Sequence, residues 1–477
     1  MTQKQTTLSF RSIPKLLAST LCLLLVVCLL LVVAAGCKAP AICCNPRYVP
    51  NEILCRTSVA VVKVQPCLEI LPPGVTLEDG LDESEAVATG LANNSLFQAA
   101  LAQLGMAGGD TVQANLIANP QVLIFFPSGA KEGQYTLYAP IESYFLRPTR
   151  VKVANREYRR VGDQLVQNGL NVARDIRFAY IDLALVTEQS RLATEAVEIR
   201  QGIADLTRAR YQDGDISELE TIASKVDALN AKAIDGVQRQ NISISRARLA
   251  SILGIPSVDS PLVPSSLETI TVPDLDEQQL IETALACRPD YHAARWSVAA
   301  ASERSTLSRW LFWRADSIVD VRHGRDYTWI GTGLRFDLPI FNRNQGGILR
   351  ADWELNAAMH TRDAIRDQIY QDVRVAYRQL TQAHANLTIL ESEVLPNLSE
   401  AVGISEKGFA DGGTDYLLVL QTTTQYLDAR ARILDQRAML RRAMVELERS
   451  VGRSLMSAPL DVQQMLSQTA PANIPNE

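Results

Sequence analysis

The stretch Thr328-Trp329-Ile330-Gly331-Thr332-Gly333-Leu334-Arg335-Phe336-Asp337-Leu338 decides how the rest of the chain is read. Side chains alternate along an extended strand, so Thr328, Ile330, Thr332, Leu334, Phe336 and Leu338 share one face. Trp329, Gly331, Gly333, Arg335 and Asp337 share the other. The first face is apolar or Thr, without a charge; the second carries a cation and an anion. Such a strand fits the rim of a soluble core, or a barrel wall with lipid outside and water inside. Its length favours the wall, because about ten residues let a tilted strand cross a bilayer. On the polar face Arg335 and Asp337 are candidates to line a lumen. Trp310, Phe312 and Trp313 before the hairpin and Phe341 after it are spaced like the aromatic girdles of membrane barrels.

A partner strand precedes it over Ser317–Arg322, with a turn at His323–Asp326. The first half of the chain holds a similar hairpin: Gln121–Phe126, a turn at Pro127–Gly133, and Gln134–Phe145, which ends on Tyr144 and Phe145. Four strands are too few to close a barrel, since the smallest membrane barrels have about eight. An open sheet in lipid leaves edge N–H and C=O groups unsatisfied. If these strands span a membrane, several copies must pool them. Two copies give a barrel filled by side chains, and three give twelve strands around a small pore.

The rest of the chain reads as long helices. No proline interrupts residues 149–255, and only Pro396 falls between Phe341 and Ala458. Apolar residues recur at alternating steps of three and four. One series is Tyr158, Val161, Leu165, Val172, Ile176, Ala179, Leu183 and Val186. A second is Ile369, Val373, Ala376, Leu380, Ala383, Leu387, Leu390 and Val394, and a third is Leu417, Leu420, Thr424, Leu427, Ala431, Leu434 and Ala438. That spacing is the seam of helices packed in coiled-coil fashion. A helix of about 60 residues reaches roughly 90 Å, far beyond the needs of a compact domain.

The two halves repeat each other. Leu91-Ala92-Asn93-Asn94-Ser95 aligns with Leu285-Ala286-Cys287-Arg288-Pro289, and Tyr211-Gln212-Asp213-Gly214 with Phe409-Ala410-Asp411-Gly412. Ser217 and Asp415 follow as capping residues before new helices. The offset stays between 194 and 198, which indicates an internal duplication. The expected organisation is a signal segment at 1–36, a Cys-containing segment at 37–75, a first repeat at 76–255, a Pro-rich linker at 256–276, and a second repeat at 277–455. In each repeat a hairpin (about 121–145 and 317–338) precedes a long helix pair (about 149–255 and 344–452). The tail at 456–477 is rich in Gln, Ala, Pro and Asn, a composition that predicts disorder.

The N-terminus reads as a targeting segment. Lys4, Arg11 and Lys15 precede an apolar run from Leu16 to Ala35, and Ala34-Ala35-Gly36-Cys37 ends it. Small residues before a cysteine resemble a bacterial lipobox, in which Cys37 carries the lipid of the mature chain. Lys38 after it favours outer- over inner-membrane sorting by the same resemblance. An uncleaved membrane anchor is the alternative, since the run is long enough to span. Export permits disulfides among Cys43, Cys44, Cys55 and Cys67, with three connectivities open. Cys287, alone in a helical pattern, reads as a small core residue.

Composition narrows the function. The 477 residues are 47% apolar, 21% charged and 6% aromatic, with a net charge of −6. That balance argues against a nucleic-acid partner, which needs a basic face. No nucleophile-elbow, phosphate-loop or zinc-protease motif occurs, and His292, His323, His360 and His384 lie far apart. No enzymatic activity, metal site or cofactor is implied.

Taken together, these features resemble the TolC-like outer membrane efflux proteins, in particular their lipidated branch. The resemblance rests on the duplicated helix–hairpin–long-helix unit and the lipobox. It rests also on Ala284-Leu285-Ala286-Cys287-Arg288-Pro289-Asp290 at the repeat opening and Leu338-Pro339-Ile340-Phe341-Asn342-Arg343-Asn344-Gln345-Gly346 at the strand exit. The last element is Val394-Leu395-Pro396 upstream of Phe409-Ala410-Asp411-Gly412-Gly413. It covers roughly residues 80–455. The fold it implies is a mainly α chain with membrane β: a long coiled-coil helical barrel, and four strands per protomer in a twelve-stranded barrel shared by a homotrimer. The function it implies is a passive conduit from periplasm to exterior, seated in outer membrane lipid and working with a periplasmic adaptor protein and an inner-membrane pump. Tyr211, Asp213, Gly214, Phe409, Asp411 and Gly412 would form the tips that meet the adaptor. The family often carries aspartates after the second tip; here Tyr416-Leu417-Leu418-Val419-Leu420-Gln421 puts Gln421 at that pore-lining position, so an acidic ring does not carry over. The competing reading is a periplasmic coiled-coil lipoprotein, a scaffold or adaptor-like subunit without a pore, in which the hairpins are soluble. The charge-free face of Thr328–Leu338 separates the two.

Overall fold

The computed structural model describes residues 47–57, 59, 80–126, 133–255, 262–264, 270–324 and 327–455. The signal segment, Cys37, Cys43, Cys44, Cys67, most of the linker and the tail at 456–477 lie outside the described residues. In chain order the elements are α1 (Tyr48–Thr57), α2 (Glu83–Asn93), α3 (Ser95–Asn115), β1 (Gln121–Phe125), β2 (Gly133–Pro140), α4 (Glu142–Gln212), α5 (Glu218–Leu253), α6 (Glu277–Cys287), α7 (Pro289–Ser308), β3 (Ala315–His323), β4 (Thr328–Phe336), α8 (Gln345–Ile389), α9 (Leu395–Ala410) and α10 (Tyr416–Val451). A π-helical turn, Leu390–Val394, joins α8 to α9.

The strands form one antiparallel sheet among the described residues, in the order β1-β2-β3-β4. Residues paired across antiparallel strands share a face, and the register therefore sorts every side chain. Ser317 faces Leu334, Val319 faces Thr332 and Val321 faces Ile330. Leu137 faces both Val319 and Val122, and Tyr135 faces Val321 and Ile124. This face carries no charge along its length. The opposite face pairs Asp316 with Arg335, Arg322 with Trp329, Gln134 with Arg322 and Thr136 with Asp320. The alternation first read in β4 thus extends through β2 and β3, whereas β1 carries apolar residues on both faces, with Leu123 and Phe125 beside Thr136 and Gln134. Among the described residues, the outer edges of β1 and β4 have no strand beside them.

Element ends differ from expectation. β2 stops at Pro140, and α4 begins at Glu142, so Tyr144 and Phe145 stand on a helix rather than a strand. Pro148 lies inside α4 rather than ahead of it. It sits in the second turn, where only one intrahelical bond is lost. β3 is longer than expected, Ala315–His323, and β4 ends at Phe336.

The helical seams follow the periodicity closely. Ile369, Val373, Ala376, Leu380, Ala383 and Leu387 are all buried, as are Leu165, Ile176, Ala179 and Leu183. The third series is out of phase at its start: Leu417 is 70% exposed while Tyr416 and Val419 are buried. The π-turn accommodates Pro396, which would otherwise clash with a carbonyl one turn back. There the Leu395 N–H bonds back to Leu390 O. Both repeats open on a kinked helix pair. Asn94 and Arg288 have nearly the same extended backbone (φ −62, ψ 108 and φ −67, ψ 124). At Asn94 the N–H donates to Gly90 O, and at Arg288 to Ala284 O.

One element escaped the sequence reading. The helix α1 lies in a groove on α4 cleared by Gly162 and Gly169, one heptad apart. A Cβ on Gly169 would stand 2.5 Å from Ile53 Cδ1, and one on Gly162 3.2 Å from Tyr48. Val49 and Ile53 are fully buried there. Arg56 of α1 donates to Cys287 O, at the end of α6, and to Gly452 O at 3.0 Å, just past α10. A cation there complements the negative ends of two helices. The Ser454 N–H returns a bond to Arg56 O at 3.0 Å. This short helix therefore ties elements of both repeats. Cys55, on α1, is a free exposed thiol, and Cys287 is a free buried one.

Tyr48 Oη donates to Asp163 Oδ1 at 2.5 Å beneath α1. Burial pushes the Asp163 carboxyl up to about 6, against the lowering pull of its hydrogen bonds to Tyr48 and Trp296 and the charge of Arg56. A carboxyl raised above its unfolded value takes up its proton first in the folded chain, so stability rises as pH falls from about 6 toward about 4. Asp163→Asn should flatten that slope, removing up to about 3 kcal/mol of pH-dependent change. Thermal midpoints of the two proteins across this window measure it; parallel curves would contradict the assignment.

Candidate functional site

The described residues hold no group of three or more His, Cys, Asp or Glu suited to a metal ion. The functional features are the polar face of the sheet and the far ends of the long helices. On the sheet, Arg335 Nε donates to Asp316 Oδ2 at 2.9 Å, and the guanidinium lies 4.7 Å from the Tyr138 ring centre. Asp320 accepts from Thr136 Oγ1 at 2.8 Å, Gln134 Nε2 at 2.9 Å and Arg322 Nε at 2.9 Å. The charges of this face are thus paired, Arg335 with Asp316 across strands and Arg322 with Asp320 within β3. Sequence reasoning named Arg335 and Asp337 but not Asp316, the partner of Arg335, whose place depends on register. Asp337 lies just beyond β4, exposed, its N–H donating to Arg314 O at 3.2 Å.

At the other end, two turns reverse the long helices in the same way. The N–H groups of Asp213 and Asp411 bond back to Ala209 O and Lys407 O; those of Gly214 and Gly412 bond to Tyr211 O and Phe409 O; those of Asp215 and Gly413 bond to Arg210 O and Gly408 O. Gly214 and Gly412 both have left-handed backbone, φ +84° and +81°, which explains the glycine in each turn. Ser217 caps α5 through its hydroxyl, 3.3 Å from the Glu220 N–H. Asp415 takes the matching position before α10, but its carboxylate caps nothing. That is a departure from the capping role expected of it.

Tyr211, Asp213, Gly214, Asp411, Gly412 and Gln421 are exposed, but Phe409 is not. At 1% exposure it packs with Tyr416 and Val419, against Ile203 and Ala223 of the other helix pair. Arg210 stacks 4.7 Å from its ring centre and donates to its carbonyl at 2.9 Å. Phe409 therefore joins the two tips and is not a surface for a partner. Tyr416 Oη donates to Asp227 Oδ2 at 2.5 Å, which adds a second tie. Its hydroxyl is held above its usual range, first by burial and then by that bond. Exposed apolar residues that were not anticipated flank the tips: Leu219, Ile222, Val226 and Leu229 on α5, and Leu417 and Leu418 on α10. The α5 residues recur at steps of three and four, a coiled-coil seam without a helix upon it.

Between sheet and tips, α4 and α10 run antiparallel, linked by polar pairs in step. Arg177 meets Glu448 at 2.6 Å, Asp182 meets Arg442, Gln189 meets Asp435 at 2.9 Å, Glu195 meets Arg430, and Arg200 meets Thr424 at 3.1 Å. An amide-rich cleft of about 650 Å³ opens between α8 and α10, lined by Gln371, Gln379, Gln382, Asn386 and Gln436 among others.

Comparison with known proteins agrees with this geometry. The sequence model of the Outer membrane efflux protein family matches residues 314–453, from the start of β3 through α10. The cobalt-zinc-cadmium resistance protein CzcC of Cupriavidus metallidurans is 23% identical over 374 residues, covering 77% of this chain and 89% of that protein. The nickel-cobalt-cadmium resistance protein NccC of Alcaligenes xylosoxydans xylosoxydans is 25% identical over 285 residues, 56% of this chain and 62% of the relative. Among solved structures, the outer-membrane channel OprN superposes with a TM-score of 0.67 at 18% identity, over 78% of this chain and 90% of OprN, a likeness of fold. Residues 314–453 thus match the outer membrane efflux protein family, and the chain shares its fold with solved outer-membrane channels such as OprN.

Proposed function

We propose that this chain is the outer-membrane channel of an efflux system, a passive conduit built by three copies. The observation that carries the reading is the sheet: one face without charge, one face of paired charges, and two open edges. In lipid each unpaired edge group costs several kcal/mol, so the edges of β1 and β4 need neighbouring copies. Three copies close twelve strands around water, with Asp316, Asp320, Arg322 and Arg335 inward. The bare seam on α5 is the helical counterpart of the open edges.

In this reading Cys37 carries the lipid anchor, and α4, 71 residues and about 105 Å long, reaches through the periplasm. The tip residues Tyr211, Asp213, Gly214, Asp411 and Gly412, with the apolar Leu219 and Leu417 beside them, meet the adaptor protein, which couples the channel to an inner-membrane pump. Gln421 lines the pore near that mouth as a neutral group. The two repeats, about 76–255 and 277–455, supply one hairpin and one helix pair each. The names of the relatives make divalent metal ions the cargo class we assign.

Purified in detergent, the full chain should run as a trimer and conduct ions in a planar bilayer. A monomer that stays soluble without detergent once Cys37 is replaced would overturn the channel. In cells, loss of the chain should lower tolerance to cobalt, zinc or cadmium and leave tolerance to organic dyes unchanged; the reverse pattern would reject the metal assignment while leaving the channel intact.

A further inference from the structure

The loop joining α7 to β3 reads Arg309-Trp310-Leu311-Phe312-Trp313-Arg314, two guanidinium groups bracketing four large apolar side chains. It is a tight turn: the Trp310 N–H bonds to Leu307 O at 3.0 Å and the Trp313 N–H to Trp310 O at 3.1 Å. Even so, Trp310 is 58% exposed and Trp313 46%. Their rings form one wall of a cleft of about 280 Å³, with Phe145, Leu146 and Thr149 of α4 as the other wall and Glu142 at its end. The Glu142 carboxylate is engaged, accepting the Ala315 N–H at 3.2 Å. A whole small ligand needs about 300 Å³ or more, so the cleft suits part of a long apolar chain.

Its place in the fold fits such a chain. The helix α4 leaves β2 and the loop enters β3, so the cleft lies under the two central strands of the sheet. The edges where further copies would join are β1 and β4, away from it. The two arginines are available. Arg314 is exposed and has no side-chain hydrogen bond or ion pair among the described residues. Arg309 reaches only Asp352, at 3.4 Å. An arginine stem can lie along apolar surface while its head stays at phosphate level.

We propose that this cleft is a phospholipid site. One acyl chain lies between Trp310 and Trp313 on one side and Phe145 and Leu146 on the other, and Arg309 and Arg314 hold the phosphate, with a preference for anionic headgroups. The proposal rests on the sheet spanning a membrane and names the lipid class at its helical end.

The test uses the full chain reconstituted in phosphatidylethanolamine–phosphatidylglycerol vesicles, with brominated acyl chains on one lipid or the other. Tryptophan quenching that is lost in the Trp310→Phe/Trp313→Phe variant isolates the loop from the other tryptophans. Brominated phosphatidylglycerol should quench about thirtyfold better per molecule than brominated phosphatidylethanolamine, from two arginines near the surface. Arg309→Gln/Arg314→Gln should abolish that preference. Equal quenching by both lipids in the unaltered protein would overturn the site. So would quenching that appears only in Cys37→Ser, which would mean that the chain's own acyl group fills the cleft. Conductance read on the same vesicles separates the two ideas: conductance without lipid preference rejects this site alone, and preference without conductance supports it while rejecting the channel.

Discussion

A backbone amide in hydrocarbon must find its partner within protein, and this one constraint organises the molecule. In the channel proposed here, four strands with a charge-free face cannot satisfy their own edges in lipid, so the protomer is incomplete by itself. The long helices that continue from β2 and β4 inherit that incompleteness. Those of the second repeat close one seam inside the protomer, through Ile369, Val373, Ala376 and Leu380. α5 carries another seam, from Leu219 to Leu229, that none of the described residues covers. Sheet edges and bare seam make the same demand at opposite ends of the molecule.

The polar pairs between α4 and α10 do a different job from the apolar seams. Partly exposed ion pairs contribute about 0–1 kcal/mol each. Their regular progression from Arg177–Glu448 to Arg200–Thr424 instead selects one register between two long smooth surfaces. At the tips the balance shifts to burial, with Phe409 and Tyr416 sealed between helix pairs. At the other end α1 fills the groove over Gly162 and Gly169 in the first repeat and binds carbonyls of Cys287 and Gly452 in the second. Register, tips and clamp are three separate controls on how the two helix pairs sit together.

Much of this was legible in the sequence because the relevant signals are local and periodic. The alternation of Thr328–Leu338 gave the strand and its two faces, and steps of three and four gave the buried seams. Failures came where periodicity is silent. Tyr416 to Leu420 is apolar at every position, so nothing there fixes the helical phase; Leu417 was placed inward and is exposed. Tyr144 and Phe145 prolong an aromatic, strand-like run, and only their position after Pro140 makes them helical. The clamp α1 was invisible because its meaning lies in two glycines more than a hundred residues away. The partner of Arg335 depends on strand register, which hairpin ends alone did not supply. Phe409 looked like a surface tip residue because its burial depends on the other repeat.

The central claim is that alternate residues of one strand meet lipid and water. Single cysteines placed along Trp329–Phe336, in a chain whose native cysteines are replaced, can be challenged in intact membranes with a small charged thiol reagent. The account predicts reaction at 329, 331, 333 and 335 and protection at 330, 332, 334 and 336. Uniform labelling along the strand would contradict it.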